Sequence, residues 1–139
     1  MSPTQSQDDS LRPGTVILDR YRIVSLLGKG GMGTVYRAED QVLRQEVALK
    51  FLSAACASDP RSIRNLQQEV KISRQVTHNN VCRVYDIGDI HGRPFISMEY
   101  VDGEDLTSVL RRIGRLPQDK AIQIARQMCA GLQAAHDQG

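Results

Sequence analysis

The sequence predicts an α+β fold in which a twisted antiparallel sheet, accompanied by one helix, precedes a helical segment. Two observations carry this prediction. Up to about residue 100, short runs of β-type residues are separated by glycine-containing turns. After Asp102-Gly103, apolar residues recur at helical spacing. With 139 residues, 40% of them hydrophobic and 24% charged, the chain suits one globular domain or part of a larger one.

The first predicted strands flank a glycine-rich turn. Residues 1–13 are rich in Ser, Gln and Asp, which predicts a disordered leader. Residues 21–27 and 34–38 are β-type runs on either side of the glycines, and this arrangement predicts a hairpin.

A third strand is predicted over residues 46–52. Side chains alternate along a strand, so Ala48 and Lys50 share one face. The other face carries three apolar side chains, Val47, Leu49 and Phe51. A small residue and a cation are therefore expected to point the same way.

The remaining elements follow from start signals and periodicity. Asp59-Pro60 is a helix start, and Ile63, Leu66 and Val70 mark an apolar stripe on a helix that is predicted to reach Val76. Strands are predicted over 81–86 and 93–100, and helices over 106–113 and 117–138. The buried face of the last helix is predicted to comprise Ala121, Ile124, Ala125, Met128, Leu132 and Ala135.

Composition excludes several classes of protein. The net charge of +2, the dispersed basic residues, the six aromatic residues and the absence of Trp argue against nucleic-acid binding. No apolar run approaches the length of a membrane span, and the N-terminus does not resemble a signal peptide. The three cysteines lack metal-site or disulfide spacing, which favours reduced thiols in the cytoplasm. No metal site is predicted in this segment.

The pattern Gly28-x-Gly30-x-x-Gly33 is the main candidate for chemistry. In dinucleotide-binding folds the same pattern lies between a strand and a helix, but here a predicted strand follows it. Without Lys50, an ordinary hairpin turn would be a serious alternative. With Lys50 as a fixed cation, a flexible hairpin over a polyphosphate is favoured.

These residues resemble the protein kinases, and most closely the bacterial eukaryotic-like Ser/Thr kinases. Residues 28–35 match the family's glycine-rich loop, and Val47-Ala-Leu-Lys50 matches its third-strand lysine motif. Further matches are Glu69, the segment 78–86, and Met98-Glu-Tyr-Val101 with the residues up to Leu106. The resemblance implies a kinase small lobe over 14–101 and the truncated start of the helical large lobe over 102–139.

The resemblance assigns a role to each candidate residue. The loop would cover the ATP phosphates with the backbone of Gly28, Lys29, Gly30, Gly31, Met32 and Gly33. Lys50 would pair with the α- and β-phosphates, and Glu69 would hold Lys50 in place. Adenine would lie between Leu27, Val35 and Ala48, with Met98 behind it. Glu99 and Val101 would offer backbone groups to the adenine edge, and Asp105 would contact the ribose.

Plainer roles stay open for some of these residues. Lys50 and Glu69 could form a simple surface pair, and Asp105 could lie on a solvated helix face. By pattern alone, Leu27, Val35 and Ala48 are core residues.

The expected function is that of an ATP-dependent protein Ser/Thr kinase, of which this chain is the N-terminal part. By resemblance, the catalytic-loop Asp and the Mg ligands are expected downstream of Gly139, so this fragment alone is expected to be inactive. The alternative is a nucleotide-binding or scaffold fragment without transfer activity, or a pseudokinase. ATP and protein substrates are the expected partners. A homodimer and a C-terminal membrane anchor are left open for the intact kinase.

Overall fold

The computed structural model describes residues 11–31 and 33–139. The sequence predictions for residues 1–10 and for Met32 lie outside these residues. In the described ranges the chain forms, in order, β1 (Val16–Ile17), β2 (Tyr21–Gly30), β3 (Gly33–Asp40), β4 (Gln45–Leu52), α1 (Ala54–Ala57), α2 (Pro60–Ser73), β5 (Val84–Ile90), β6 (Arg93–Glu99), α3 (Leu106–Ile113) and α4 (Gln118–His136).

The strands of the described residues form one antiparallel sheet in the order β1-β2-β3-β4-β6-β5. The sheet is curled, because the ring of Tyr21 on β2 meets the ring of Phe95 on β6 edge to face, with 5.8 Å between centroids. Strands β3 and β4 lie between these two in the sheet order. The predicted antiparallel sheet is confirmed.

One face of the sheet encloses the main hydrophobic core. Tyr36 of β3 and Val47, Leu49 and Phe51 of β4 are each at most 2% exposed there. Lys50 is only half-buried. The predicted alternation along β4 is therefore confirmed, and Ala48 and Lys50 lie on the face opposite the core.

Helix α2 packs on this second face of the sheet. Its N-cap is Asp59, whose carboxylate accepts a hydrogen bond from the Arg61 backbone N–H at 2.9 Å, and Pro60 is the first helical residue. Leu66 and Val70 are buried in a second cluster with Leu52. The predicted helix start is confirmed, but the helix ends at Ser73 rather than at Val76.

The strand pair β5–β6 turns at His91-Gly92, where both residues have positive φ, as a two-residue hairpin turn requires. Strand β5 begins at Val84, three residues later than predicted, and extends to Ile90. The displaced start has a local cause. The Val81 N–H donates to the His78 carbonyl at 3.1 Å, which turns the chain before the strand.

The short elements β1 and α1 were not predicted. Strand β1 has two residues and α1 has four, and neither is long enough to show a period in the sequence. The Cys56 backbone N–H donates to the Ser53 hydroxyl at 3.2 Å, which caps α1 immediately after β4.

Helix α4 meets the rest of the fold near Asn80. The Asn80 side-chain amide donates to the Gln127 carbonyl at 3.0 Å. Gly131 is buried next to it, and a Cβ there would lie 3.0 Å from the Asn80 carbonyl oxygen. The prediction of a buried apolar face on α4 is wrong for the described residues. Met128 and Leu132 are 56% and 55% exposed, and the buried residue of α4 is Gly131.

The β3–β4 turn is held by a buried carboxylate. Asp40 is 2% exposed and receives two hydrogen bonds from Arg20, Nε to Oδ1 at 3.0 Å and Nη2 to Oδ2 at 2.8 Å. Its Oδ1 also accepts from the backbone N–H groups of Val42 and Leu43. The Arg20 hydrogen bonds lower the pKa of Asp40 below its ordinary value of 3.8, more than burial raises it.

Asp40→Asn should lower the free energy of unfolding by about 1–2 kcal/mol at pH 7, because the charge-assisted bonds to Arg20 are lost. A depressed pKa contributes stability that is complete above the unfolded pKa and is lost as the pH falls through the folded pKa. The gap between wild type and variant should therefore narrow below about pH 4. Urea unfolding at pH 7 and pH 3 measures it, with Glu39→Gln on the exposed Arg22 pair as control. An equal gap at both pH values would contradict the assignment.

Gly33→Ala should destabilise the fold by about 1–3 kcal/mol, because a Cβ would lie 1.8 Å from the Phe51 carbonyl oxygen in the adjacent strand. Gly30→Ala is the matched control, since no heavy atom lies within 4 Å of a Cβ at that position. Urea unfolding of both variants checks the difference. Equal stabilities would show that β3 and β4 do not approach so closely at Gly33.

Candidate functional site

Two adjacent rows of paired residues cross the sheet on the face opposite the core. The first row runs from Gly28 on β2 through Val35 and Lys50 to Ile96 on β6. The second row runs from Arg37 on β3 through Ala48 to Met98 on β6. Partners in a pleated sheet carry their side chains on the same face. The sheet therefore brings Val35, Ala48, Lys50 and Met98 together, as the sequence predicts.

The glycine segment joins two strands rather than a strand and a helix. Its residues continue the β2–β3 ladder, with Gly28 opposite Val35, Lys29 opposite Thr34 and Gly30 opposite Gly33. This geometry excludes the strand–glycine–helix arrangement of dinucleotide folds for this pattern. The predicted hairpin is confirmed.

The glycines of this hairpin fall into two groups. Gly28, Gly30 and Gly31 are exposed, and a Cβ at any of them would meet no heavy atom within 4 Å. Gly33 instead lies against β4. Among these four glycines, Gly33 is the one whose Cβ the fold could not accommodate, so the other three leave open backbone that a ligand can approach closely.

Lys50 and Glu69 line one cavity of about 200 Å³ between the sheet and α2. Within the described part of the chain, no ion pair joins them. The predicted pair thus shares a cavity without forming an ion pair, and Glu69 is exposed. At 4 Å, opposite charges near a protein surface attract by about 4 kcal/mol, but desolvation cancels most of this.

Sequence reasoning missed three polar residues that line the same cavity, Cys56, Ser62 and Asn65. Ser62, Asn65 and Glu69 follow one another on α2 at intervals of three and then four residues, so helical spacing could have placed them on one face. No sequence signal marks Cys56, because α1 was not predicted.

The predicted adenine contacts differ in exposure. Ala48 is 7% exposed, and Val35 and Met98 are half-buried. Leu27 is 47% exposed and lies in a β-bulge between the pairs formed by Leu26 and Gly28. Strand β6 ends at Glu99, and Val101 beyond it is 61% exposed. The segment 99–101 therefore borders this face of the sheet at its solvent edge.

Asp105 serves as the N-cap of α3. Its carboxylate accepts a hydrogen bond from the Ser108 backbone N–H at 2.7 Å, and this bond lowers the pKa of Asp105. The carboxylate thus has a structural role in the described fold, in addition to the ribose contact that the sequence predicts.

Three side chains form a cluster at the solvent-exposed edge of the site, where Arg37 contacts both Glu46 and Tyr100. Arg37 Nε donates to Glu46 Oε1 at 2.8 Å, and the guanidinium carbon lies 4.9 Å from the centre of the Tyr100 ring. Cation–π contacts at exposed sites contribute about 0.5–1 kcal/mol. The hydrogen bonds to Glu46 are the main cause that raises the pKa of Arg37 above its usual range. Sequence reasoning did not identify this cluster.

Comparison with known proteins agrees with this geometry. The profile of the protein kinase domain family matches residues 21–139. Serine/threonine-protein kinase PknE of Mycobacterium tuberculosis is 40% identical over 119 residues, which are 86% of this chain and 21% of PknE. PknH of the same organism is 38% identical over 119 residues, which are 19% of its length. The chain spans about a fifth of these relatives.

A solved structure shares the fold. The kinase domain of M. tuberculosis PknI superposes with a TM-score of 0.83 at 31% identity, covering 94% of this chain and 52% of that domain. The matched part comprises the curled sheet, α2 and the following helices. This chain therefore belongs to the protein kinase domain family, of which it forms the N-terminal lobe and the start of the C-terminal lobe.

Proposed function

We propose that this chain is the nucleotide-binding part of a Ser/Thr protein kinase, which transfers the γ-phosphoryl group of ATP to protein hydroxyl groups. The observation that carries the proposal is the row Gly28–Val35–Lys50–Ile96, which places a cation on β4, directly beside the open β2–β3 glycine hairpin and two strands from Gly28. The names of PknE and PknH support Ser/Thr specificity.

On the phosphate side, the open backbone from Gly28 to Gly31 approaches the β- and γ-phosphates, while Gly33 fixes the hairpin to β4. Lys50 pairs with the α- and β-phosphates. Glu69 holds Lys50 once α2 has moved towards β4, because a carboxylate that restrains the ammonium group keeps it aligned with the phosphates.

On the base side, adenine lies over the row that contains Ala48 and Met98, with Leu27 and Val35 as further apolar contacts. The small side chain of Ala48 leaves room for a planar ring. The backbone of Glu99 and Val101 faces the adenine edge, and Asp105 approaches the ribose from the α3 cap.

The chain's share of the reaction is to bind and orient ATP. In the described residues, no group of three or more His, Cys, Asp or Glu residues is arranged to hold a metal. From the resemblance to the kinase family, we assign the Mg ligands and the residue that accepts the substrate hydroxyl proton to a part of the kinase domain beyond these 139 residues. Mg would neutralise phosphate charge there.

The proposed division places the nucleotide-binding lobe over 14–101 and the start of the helical lobe over 102–139. No helix of the described residues has the length and apolar character to cross a membrane. We assign this segment to the cytoplasm, where ATP and protein substrates are its partners.

Lys50→Met should weaken ATP binding about tenfold, because a charge-assisted contact to the phosphates is lost while the methylene stem keeps its packing. Calorimetric titration with ATP measures the change, and Lys71→Met on the exposed side of α2 is the matched control. Equal ATP affinity in a folded Lys50→Met variant would remove Lys50 from the site.

In the full-length gene product, Lys50→Met should abolish transfer of γ-labelled phosphate to the protein itself and to a general protein substrate. A wild-type product that binds ATP and transfers no phosphate would instead identify a pseudokinase.

Glu69→Gln in the full-length product should slow phosphoryl transfer at least about tenfold and change ATP affinity less than twofold, because Glu69 acts on Lys50 and not on the nucleotide. Steady-state kinetics separate kcat from KM for ATP. Glu104→Gln, which affects the exposed pair with Arg112, is the control. An unchanged kcat would reduce Glu69 to a surface residue.

A further inference from the structure

Arg37 lies on the face of β3 that, under the proposed function, binds the nucleotide. It shares that face with Val35, two residues earlier on the strand, and its partner on β4 is Ala48. Its neighbours Tyr36 and Ala38 point the other way and are buried in the core. Arg37 thus continues the adenine row towards solvent.

The Arg37 guanidinium contacts two further segments of the chain. Nε donates to Glu46 Oε1 at 2.8 Å, and Nη2 donates to the same oxygen. The guanidinium carbon lies 4.9 Å from the centre of the Tyr100 ring. One side chain on β3 is therefore tied to β4 and to the residue that follows β6.

Tyr100 follows the last residue of β6 that pairs with β4. The last pair between β4 and β6 is Val47 with Glu99, so Tyr100 is one residue beyond the ladder. Its ring is half-buried under the guanidinium. The orientation of the backbone from Glu99 to Val101 is consequently coupled to the position of Arg37.

We infer that Arg37 is a positioning residue for adenine recognition, which acts through Tyr100 on the backbone of residues 99–101. This inference rests on the proposed function, since that function assigns the adenine edge to the same backbone. Glu46 holds the guanidinium over the ring. A planar guanidinium is suited to this role because it stacks on the ring and donates hydrogen bonds at its rim.

A direct contact between Arg37 and the ATP phosphates is the rival explanation for any effect of its removal. Adenosine separates the two, because it presents the base and ribose without phosphates. A positioning role reduces adenosine and ATP binding by the same factor, whereas a phosphate contact reduces ATP binding alone.

The test measures binding of ATP and of adenosine to this chain, by titration monitored by NMR, for wild type and variants. Arg37→Met should weaken both ligands about fourfold. Tyr100→Leu should have the same effect, and Tyr100→Phe should bind like wild type because the ring is kept. Arg37→Met combined with Tyr100→Leu should be no weaker than either single variant, since both remove one contact.

The controls separate this effect from general destabilisation. Arg22→Met removes a comparable exposed Arg–Glu pair between β2 and β3 and should leave both affinities unchanged. Hydrogen exchange without ligand should be faster at residues 100–102 in Arg37→Met and unaltered there in Arg22→Met. Lys50→Met should weaken ATP but not adenosine.

The outcomes distinguish the inference from the proposed function. If wild type binds ATP and adenosine, and Arg37→Met weakens neither or weakens ATP alone, the inference is overturned and the proposed function stands. If wild type binds neither ligand, the proposed function fails and the inference fails with it. Equal losses for both ligands, reproduced by Tyr100→Leu and absent from Tyr100→Phe, support the inference.

Discussion

The alternation of side chains along β4 is the constraint on which the site depends. This strand lies between β3 and β6, and its residues from Val47 to Phe51 have partners on both sides. Val47, Leu49 and Phe51 are fixed in the core, and their burial fixes Ala48 and Lys50 on the opposite face. A register slip of one residue would exchange the two sets. Burial of these three side chains in the core therefore determines on which face of the sheet Lys50 lies.

The position of α2 is less firmly determined than that of Lys50. The helix is attached through Leu66 and Val70, which pack in a cluster separate from the main core. The cavity that Lys50 and Glu69 share lies beside this attachment and is lined on the helix side by polar residues as well as Leu66. A helix held by a few apolar residues next to a cavity can shift at low cost, since little apolar surface changes its environment.

Local signals made much of this fold predictable from sequence. The glycine hairpin, the faces of β4 and the start of α2 each follow from residues that are close together in the chain. The shared cavity and the contact of Arg37 with Tyr100 do not, because they depend on how distant segments pack and on elements as short as α1. The motif resemblance supplied the candidate ATP contacts, whereas the capping of α3 by Asp105 follows from its position directly before the predicted helix start at Leu106, as for Asp59.

The exposed apolar residues of α4 show what a periodic pattern can and cannot establish. Met128 and Leu132 recur at helical spacing, and yet both are more than half exposed. Periodicity indicates that a helix has an apolar face, but not that a particular segment buries this face. The place where α4 meets the rest of the described fold is set instead by the close approach of Gly131 to Asn80 and by the hydrogen bond from the Asn80 side chain to the Gln127 carbonyl.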